Sequence, residues 1–187
     1  MSVLFEDSRQ KPTQHKLKNE FFKANGFTVE RTKLYVGDYM FPGCLTTVDT
    51  KADIYELASN LRQQHERFRN ECMRAREAGY QLVVLVENVE NVSNLFDLAD
   101  WIEPMDHFMA RKRKSGGRVK VRFTGTSLYK TCKTMQERYG VRFEFCTPNE
   151  SARRICELLG VSYEQDADSS AETSRDGVQD TSNQTRE

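Results

Sequence analysis

The 187-residue chain reads as an α/β protein, a sheet held between layers of helices, and three observations predict this. Strand-like apolar segments alternate with amphipathic segments of helical period along the chain. The run "QLVVLVEN", residues 81 to 88, is continuously apolar, as suits a central strand covered on both faces in a parallel or mixed sheet. From Asp53 to Gly79, the positions Ile54, Leu57, Ala58, Leu61, His65, Phe68, Cys72 and Ala75 step by three or four, which predicts one long helix.

The remaining elements follow in order. Ser2 to Phe5 is a short apolar run, read as a first strand. Residues 13 to 25 place Leu17, Phe21 and Ala24 at helical spacing with Phe22 beside them, and Asn25-Gly26 closes the segment. "FTVERTKLYVGDYMF" and "CLTTVD" are rich in β-branched and aromatic residues. They are joined through Pro42-Gly43, the pair a type II turn prefers, so a hairpin is expected. "VSNLFDLADWI" predicts a short helix capped by Ser93, with Trp101 in the core. Residues 110 to 122, "ARKRKSGGRVKVR", predict a basic loop or hairpin. Leu128, Cys132, Met135 and Tyr139 form one stripe of a helix that stops at Gly140, and "VRFEFC" alternates as a strand. In the last helix Thr147 and Glu150 make a capping box, Pro148 takes the first helical position and Gly160 terminates.

Length allows one domain, residues 1 to 160, with an acidic and disordered tail over 161 to 187. That tail carries seven acids against Arg175 and Arg186, so the body before it is basic by five charges although the chain totals zero. A basic body favours a polyanionic partner. The five cysteines have no C-x-x-C pair and read as buried thiols of a reducing compartment. The three histidines lack zinc-finger spacing, and His65 is expected to be a hydrogen-bonded core residue. There is no signal-peptide pattern and no apolar run long enough for a membrane span, so a soluble intracellular protein is expected.

The candidate chemistry lies in "GDYMFPGCLTTVDTK", residues 37 to 51. With a turn centred between Pro42 and Gly43, Asp38 is expected opposite Thr47 and Asp49 opposite Val36. Asp38, Asp49 and Lys51 then project from one face, with the carboxylates as diagonal neighbours about 7–8 Å apart. Two hard carboxylates suit Mg²⁺, or Mn²⁺ in its place, and a lysine beside them suits stabilisation of charge on phosphorus. An Asp-x-Lys in a hairpin is, taken alone, more often a solvated edge.

The surroundings add to this. "LYVGDYMF", "TVDTK", "ELASNLRQQHERFRNE" and "LVVLVEN" together resemble the nuclease domain of the XPF family of structure-specific DNA endonucleases, a branch of the PD-(D/E)xK, restriction-endonuclease-like superfold. The resemblance covers roughly residues 2 to 160. It implies an α/β/α sandwich with a central mixed sheet, with Asp7 and Arg9 of "DSRQ" joining Asp38, Asp49 and Lys51 as catalytic residues. Asp38 and Asp49 would be the metal ligands. The implied activity is metal-dependent hydrolysis of phosphodiesters in branched or structured DNA, during repair, recombination or replication. Because the family also includes partners that keep the fold without the chemistry, an inactive DNA-binding or scaffold subunit is the alternative.

Gln10 stands where the family pattern has Glu, and Thr50 where it has Arg. Tyr55 occupies the position of a further acid, leaving Asp53, Glu56 and Glu20 as open candidates to complete the site. The family's tandem helix-hairpin-helix module has no counterpart in these residues, so duplex binding is expected from the domain itself, a homodimer or a partner subunit. Arg67 is expected to face the site. Arg111, Lys112, Arg113, Lys114, Arg118 and Lys120, with Arg122, are expected to contact DNA backbone. The expected location is the cytoplasm and nucleoid for a bacterial or phage protein, and the nucleus for a eukaryotic one.

Overall fold

The structure is a computed structural model that describes residues 2–11 and 15–162. The acidic segment after Ser162 lies outside the described residues. The elements are β1 (Ser2–Asp7), α1 (Lys16–Ala24), β2 (Phe27–Thr32), β3 (Tyr39–Met40), β4 (Thr46–Lys51), α2 (Ile54–Arg62), α3 (His65–Glu77), β5 (Gln81–Glu87), α4 (Leu95–Leu98), α5 (Met105–Lys114), α6 (Gly125–Tyr139), β6 (Arg142–Cys146) and α7 (Ser151–Leu158). No helix among the described residues is long and apolar enough to cross a membrane.

The sheet order is β2-β1-β3-β4-β5-β6. Two parallel groups, β1 with β2 and β4 with β5 and β6, are joined through the antiparallel β3, so the sheet is mixed as expected. Period-two alternation divides the side chains between two cores. Val84 and Val86 join Ile54, Leu57, Leu61, Phe68 and Cys72 from α2 and α3 and Leu128 and Met135 from α6. On the other face Leu4, Tyr39, Val48 and Leu85 meet Phe22 of α1 and Ile155 of α7. Trp101 is buried in the first core, as expected. Four cysteines are buried and Cys44 is half-buried, all as free thiols.

Several local expectations are corrected. The stretch read as one hairpin arm divides: Phe27–Thr32 leaves for the sheet edge beside β1, and only Tyr39 and Met40 pair with β4. The Pro42-Gly43 turn forms, with the Cys44 N–H donating to Phe41 O at 3.0 Å and Gly43 at φ 81°. Yet the register pairs Tyr39 with Val48 and Met40 with Thr47, two residues away from the expected pairing. The reason is that the carbonyl of Leu45 accepts from Gln81 N of β5 at 2.7 Å, which pulls Cys44 and Leu45 out of the hairpin ladder. A shift of two preserves the face of every side chain and brings Asp38 level with Asp49.

The long helix breaks at Gln63 and Gln64. Residues 62 to 67 are all exposed, so no apolar contact anchors that turn, and His65 begins α3 in solvent instead of entering the core. In α1 the buried residue is Phe22, while Leu17 is exposed. The α4 cap is Asn94, whose Oδ1 accepts from Phe96 N and Asp97 N, in place of Ser93. Thr147 and Glu150 do bond, but they close a turn ahead of α7, which starts at Ser151, so Pro148 lies outside the helix.

The basic run is not a loop throughout. Its first half is the last turn of α5, and Arg111 is folded inward: its Nε and Nη2 donate to Glu103 at 3.0 and 2.6 Å, and the guanidinium stacks 4.0 Å from the Phe123 ring centroid. Glu103 is fully buried and also accepts from Phe123 N, while Arg122 donates to the Glu103 carbonyl. Removing one partner of a buried pair strands the other charge. Arg111→Ala is therefore expected to lower the unfolding free energy by about 3–5 kcal/mol in denaturant titration, whereas the exposed neighbour Lys112→Ala leaves it within about 0.5 kcal/mol.

Candidate active site

The C-terminal ends of β1 and β4, the start of β3 and the N-terminal end of α2 converge on one polar cleft of about 670 Å³. Asp7, Arg9, Asp38, Asp49, Lys51 and Arg67, all singled out from the sequence, line it. Lys112, Arg113, Lys114, Arg118 and Lys120 do not; they lie on or beyond α5, exposed, with Lys114 in an adjoining groove that shares Tyr55 with the cleft.

Backbone geometry sets the carboxylates. Gly37 takes φ 72°, and a Cβ there would stand 2.3 Å from Thr47 Oγ1, so glycine is required for β3 to approach β4 this closely. The Asp7 N–H donates to Asp38 O at 2.8 Å, tying the end of β1 to the start of β3. Asp38 Oδ2 accepts from the N–H and hydroxyl of Thr50 at 2.8 and 2.7 Å, and its Oδ1 accepts from the side-chain amide of Gln10. Asp7 is buried and receives Arg9 Nε at 2.6 Å, while Arg9 Nη2 donates to Leu34 O.

Asp49 and Lys51 form a buried ion pair, Nζ to Oδ2 at 2.6 Å. Burial pushes the Asp49 carboxyl well above the usual carboxylate range; Lys51 pulls it back, and the charges of Asp38 and Glu71 push it further up. For Lys51, burial favours loss of the proton, but Asp49 and Asp38 outweigh it and hold the ammonium above its ordinary range. The proton on Lys51 is thus held more firmly than on a free lysine.

Of the three acids left open by the sequence, Glu20 points to solvent near Lys16. Asp53 and Glu56 line the cleft but cap α2 reciprocally: Asp53 Oδ1 accepts from Glu56 N at 2.6 Å, and Glu56 Oε2 accepts from Ala52 N at 2.8 Å. The acid that acts on Asp49 besides Asp38 is Glu71 of α3, whose Oε1 accepts from Gly37 N at 3.4 Å. No sequence pattern marks Glu71, because α3 reaches the cleft only after the break at Gln63 and Gln64. His15, Lys18 and Glu87 also line the cleft and were likewise missed.

Among the described residues no group of three or more His, Cys, Asp or Glu is arranged to hold a metal. A two-carboxylate site is a different matter. Asp49, raised by burial and then by two neighbouring acids, with Lys51 as the cation against its Oδ2, has the electrostatics that favour a hard divalent cation, and a Mg²⁺ ion commonly keeps several waters. Asp38 accepts three protein hydrogen bonds, two on Oδ2 and one on Oδ1, and retains one lone-pair site on Oδ1 for a cation.

Residues 7–158 match the family described as ERCC4 domain. Among solved structures, XPF from Aeropyrum pernix superposes with a TM-score of 0.55 at 18% identity, covering 95% of this chain and 69% of that one. That likeness bears on the fold. No curated protein sequence matches the chain.

Replacing Gly37 by Ala adds a methyl where Thr47 Oγ1 stands and forces a left-handed backbone on an L side chain. Gly37→Ala is expected to cost about 1–3 kcal/mol, read as a lowered denaturation midpoint at unchanged slope.

Proposed function

The chain belongs to the ERCC4 domain family, the nuclease domain of the XPF family, and on that premise we propose that it is a Mg²⁺-dependent endonuclease that hydrolyses phosphodiester bonds in branched or structured DNA. The observation that carries this reading is the buried Asp49/Lys51 pair beside Asp38, three charges on one face at the mouth of a polar cleft.

Asp49 and Asp38 would hold the ion, with Mn²⁺ able to replace Mg²⁺. When bound, it supplies Lewis acidity toward a phosphodiester oxygen and makes water more acidic. Lys51 contributes a permanent positive charge within reach of the phosphate, where negative charge builds as water adds to phosphorus and the P–O bond to the leaving alcohol breaks. Thr50 holds Asp38 in place through two hydrogen bonds. Arg67, exposed on the cleft wall with only a 3.4 Å contact to Gln64, is free to meet a neighbouring phosphate. Lys112, Arg113, Lys114, Arg118 and Lys120 extend the basic surface and would contact backbone without reading sequence. Arg111 is withdrawn from that set, since Glu103 holds it.

A second reading, a non-catalytic DNA-binding subunit, is favoured by one observation: the neutral Gln10 amide already occupies Asp38 Oδ1. Junction, flap and linear duplex substrates with Mg²⁺, Mn²⁺ or EDTA separate the two. Metal-dependent cleavage that disappears in Asp49→Asn while DNA binding persists is expected, with Lys51→Met losing about 10²–10³ in rate. Binding without cleavage of any substrate, together with cleavage gained in Gln10→Glu, would establish the second reading instead.

The pH dependence follows from Asp49. It must be ionised to hold a cation, and its proton affinity is raised, so the acidic limb of the rate profile is expected well above pH 4. Glu71 is one of the charges that raises it. Glu71→Gln is therefore expected to move that limb to lower pH, and an unmoved limb would show that another group controls it.

A further inference from the structure

On the side of the sheet away from Asp49, a line of buried and half-buried polar groups runs from α7 to the cleft. Ser151 Oγ, fully buried at the start of α7, donates to Glu87 Oε1 at 2.8 Å. Glu87, at the end of β5, forms an ion pair with Lys18 of α1, whose side chain is only 12% exposed. Lys18 Nζ lies 3.5 Å from His15 Nδ1, and His15 Nε2 lies 3.5 Å from Gln10 Oε1. Gln10 Nε2 then donates to Asp38 Oδ1.

The chemistry of each link fixes the next. A carboxylate only accepts, so the Gln10 amide must turn its NH₂ to Asp38 and its carbonyl away. That carbonyl needs a donor, which makes His15 Nε2 the protonated nitrogen. The Lys18 ammonium only donates, so His15 Nδ1 must be the bare one. Glu87 in turn holds Lys18 in place. His15 is 4% exposed, and its ring meets Tyr39 edge-on with centroids 5.7 Å apart, so it cannot swing away. Burial, then Lys18, lowers its proton affinity against the opposing pull of Asp38 and Glu87, which agrees with a neutral ring of one tautomer.

We propose that Gln10 and His15 are positioning residues for Asp38: His15, locked as the Nε2–H tautomer by Lys18 and Glu87, orients the Gln10 amide, which with Thr50 aims the Asp38 carboxylate into the cleft. Without His15 the amide is free to rotate, and Asp38 loses one of its two clamps. The consequence for cleavage rests on the nuclease reading above, whereas the orientation of Gln10 does not.

Two measurements on the full chain separate these. In nitrogen-15 NMR spectra the Gln10 side-chain amide, assigned by its disappearance in Gln10→Ala, is expected to show two widely separated proton shifts. They collapse toward those of a free glutamine side chain in His15→Leu and persist in His15→Gln, whose amide N–H replaces the Nε2 donor. An unchanged signal in His15→Leu overturns the proposal. Should His15→Leu not fold, Lys18→Met breaks the line one link further back and is expected to give the same collapse in smaller measure; an unchanged signal there overturns it equally.

In the cleavage assay kcat is expected to fall about 10- to 100-fold in His15→Leu with KM unchanged, and to recover in His15→Gln to within roughly threefold of wild type. Equal losses in the two variants, or a change confined to KM, overturn the positioning role. If the wild-type chain cleaves no DNA, the nuclease reading fails, and the amide signal alone decides how Gln10 is held.

Discussion

The constraint on which the site depends is the burial of two opposite charges, Asp49 and Lys51, 2.6 Å apart at the end of a central strand. Taking both out of water is costly, and their mutual attraction offsets that only if the surroundings hold the geometry. Asp49 and Asp38 keep Lys51 charged, while Asp38 and Glu71 load the buried Asp49 with unfavourable negative potential. A hydrophobic pair at these positions would make a better sheet. The fold instead concentrates electrostatic strain at one point, which the proposed cation would relieve.

Both helical layers serve that point. From one side the break between α2 and α3 turns Gln64, Arg67 and Glu71 toward the cleft, where an unbroken helix would have kept a straight polar face. From the other, α1 with its N-cap and α7 supply His15, Lys18 and Ser151, which reach Asp38 through Gln10 in the turn that follows β1. Asp38 sits where the two contributions meet. Its clamp of Thr50 and Gln10 is the structural counterpart of the departure at Gln10, where a neutral amide takes the place of the family's glutamate.

The basic run illustrates a limit of counting charges. Seven cations in thirteen residues, 110 to 122, look uniform in sequence. Arg111 and Arg122 nevertheless turn inward to a glutamate buried eight and nineteen positions away, while the others remain exposed. Arginine serves both roles because its planar fork binds a carboxylate bidentately and its face stacks on Phe123. The cations that remain available for a polyanion are therefore fewer than the composition suggests.

Much of the fold was legible in the sequence. The alternation of strands and helices, the Pro42-Gly43 turn, the apolar run Leu82 to Val86 of β5 and the common face of Asp38, Asp49 and Lys51 follow from periods of 2 and 3.6 and from local turn chemistry. These act over a few residues and survive a register error of two. What the tertiary structure alone decided was which charges would face each other. Glu71 rather than Asp53, Glu56 or Glu20 acts on Asp49, because the two nearer acids were taken up in capping α2 and Glu20 faces solvent. The fate of Arg111 and the line from Ser151 to Asp38 were decided in the same way. A sequence shows that a group is charged, but its counter-charge comes from a distant element, and the two meet only once packing has excluded water between them.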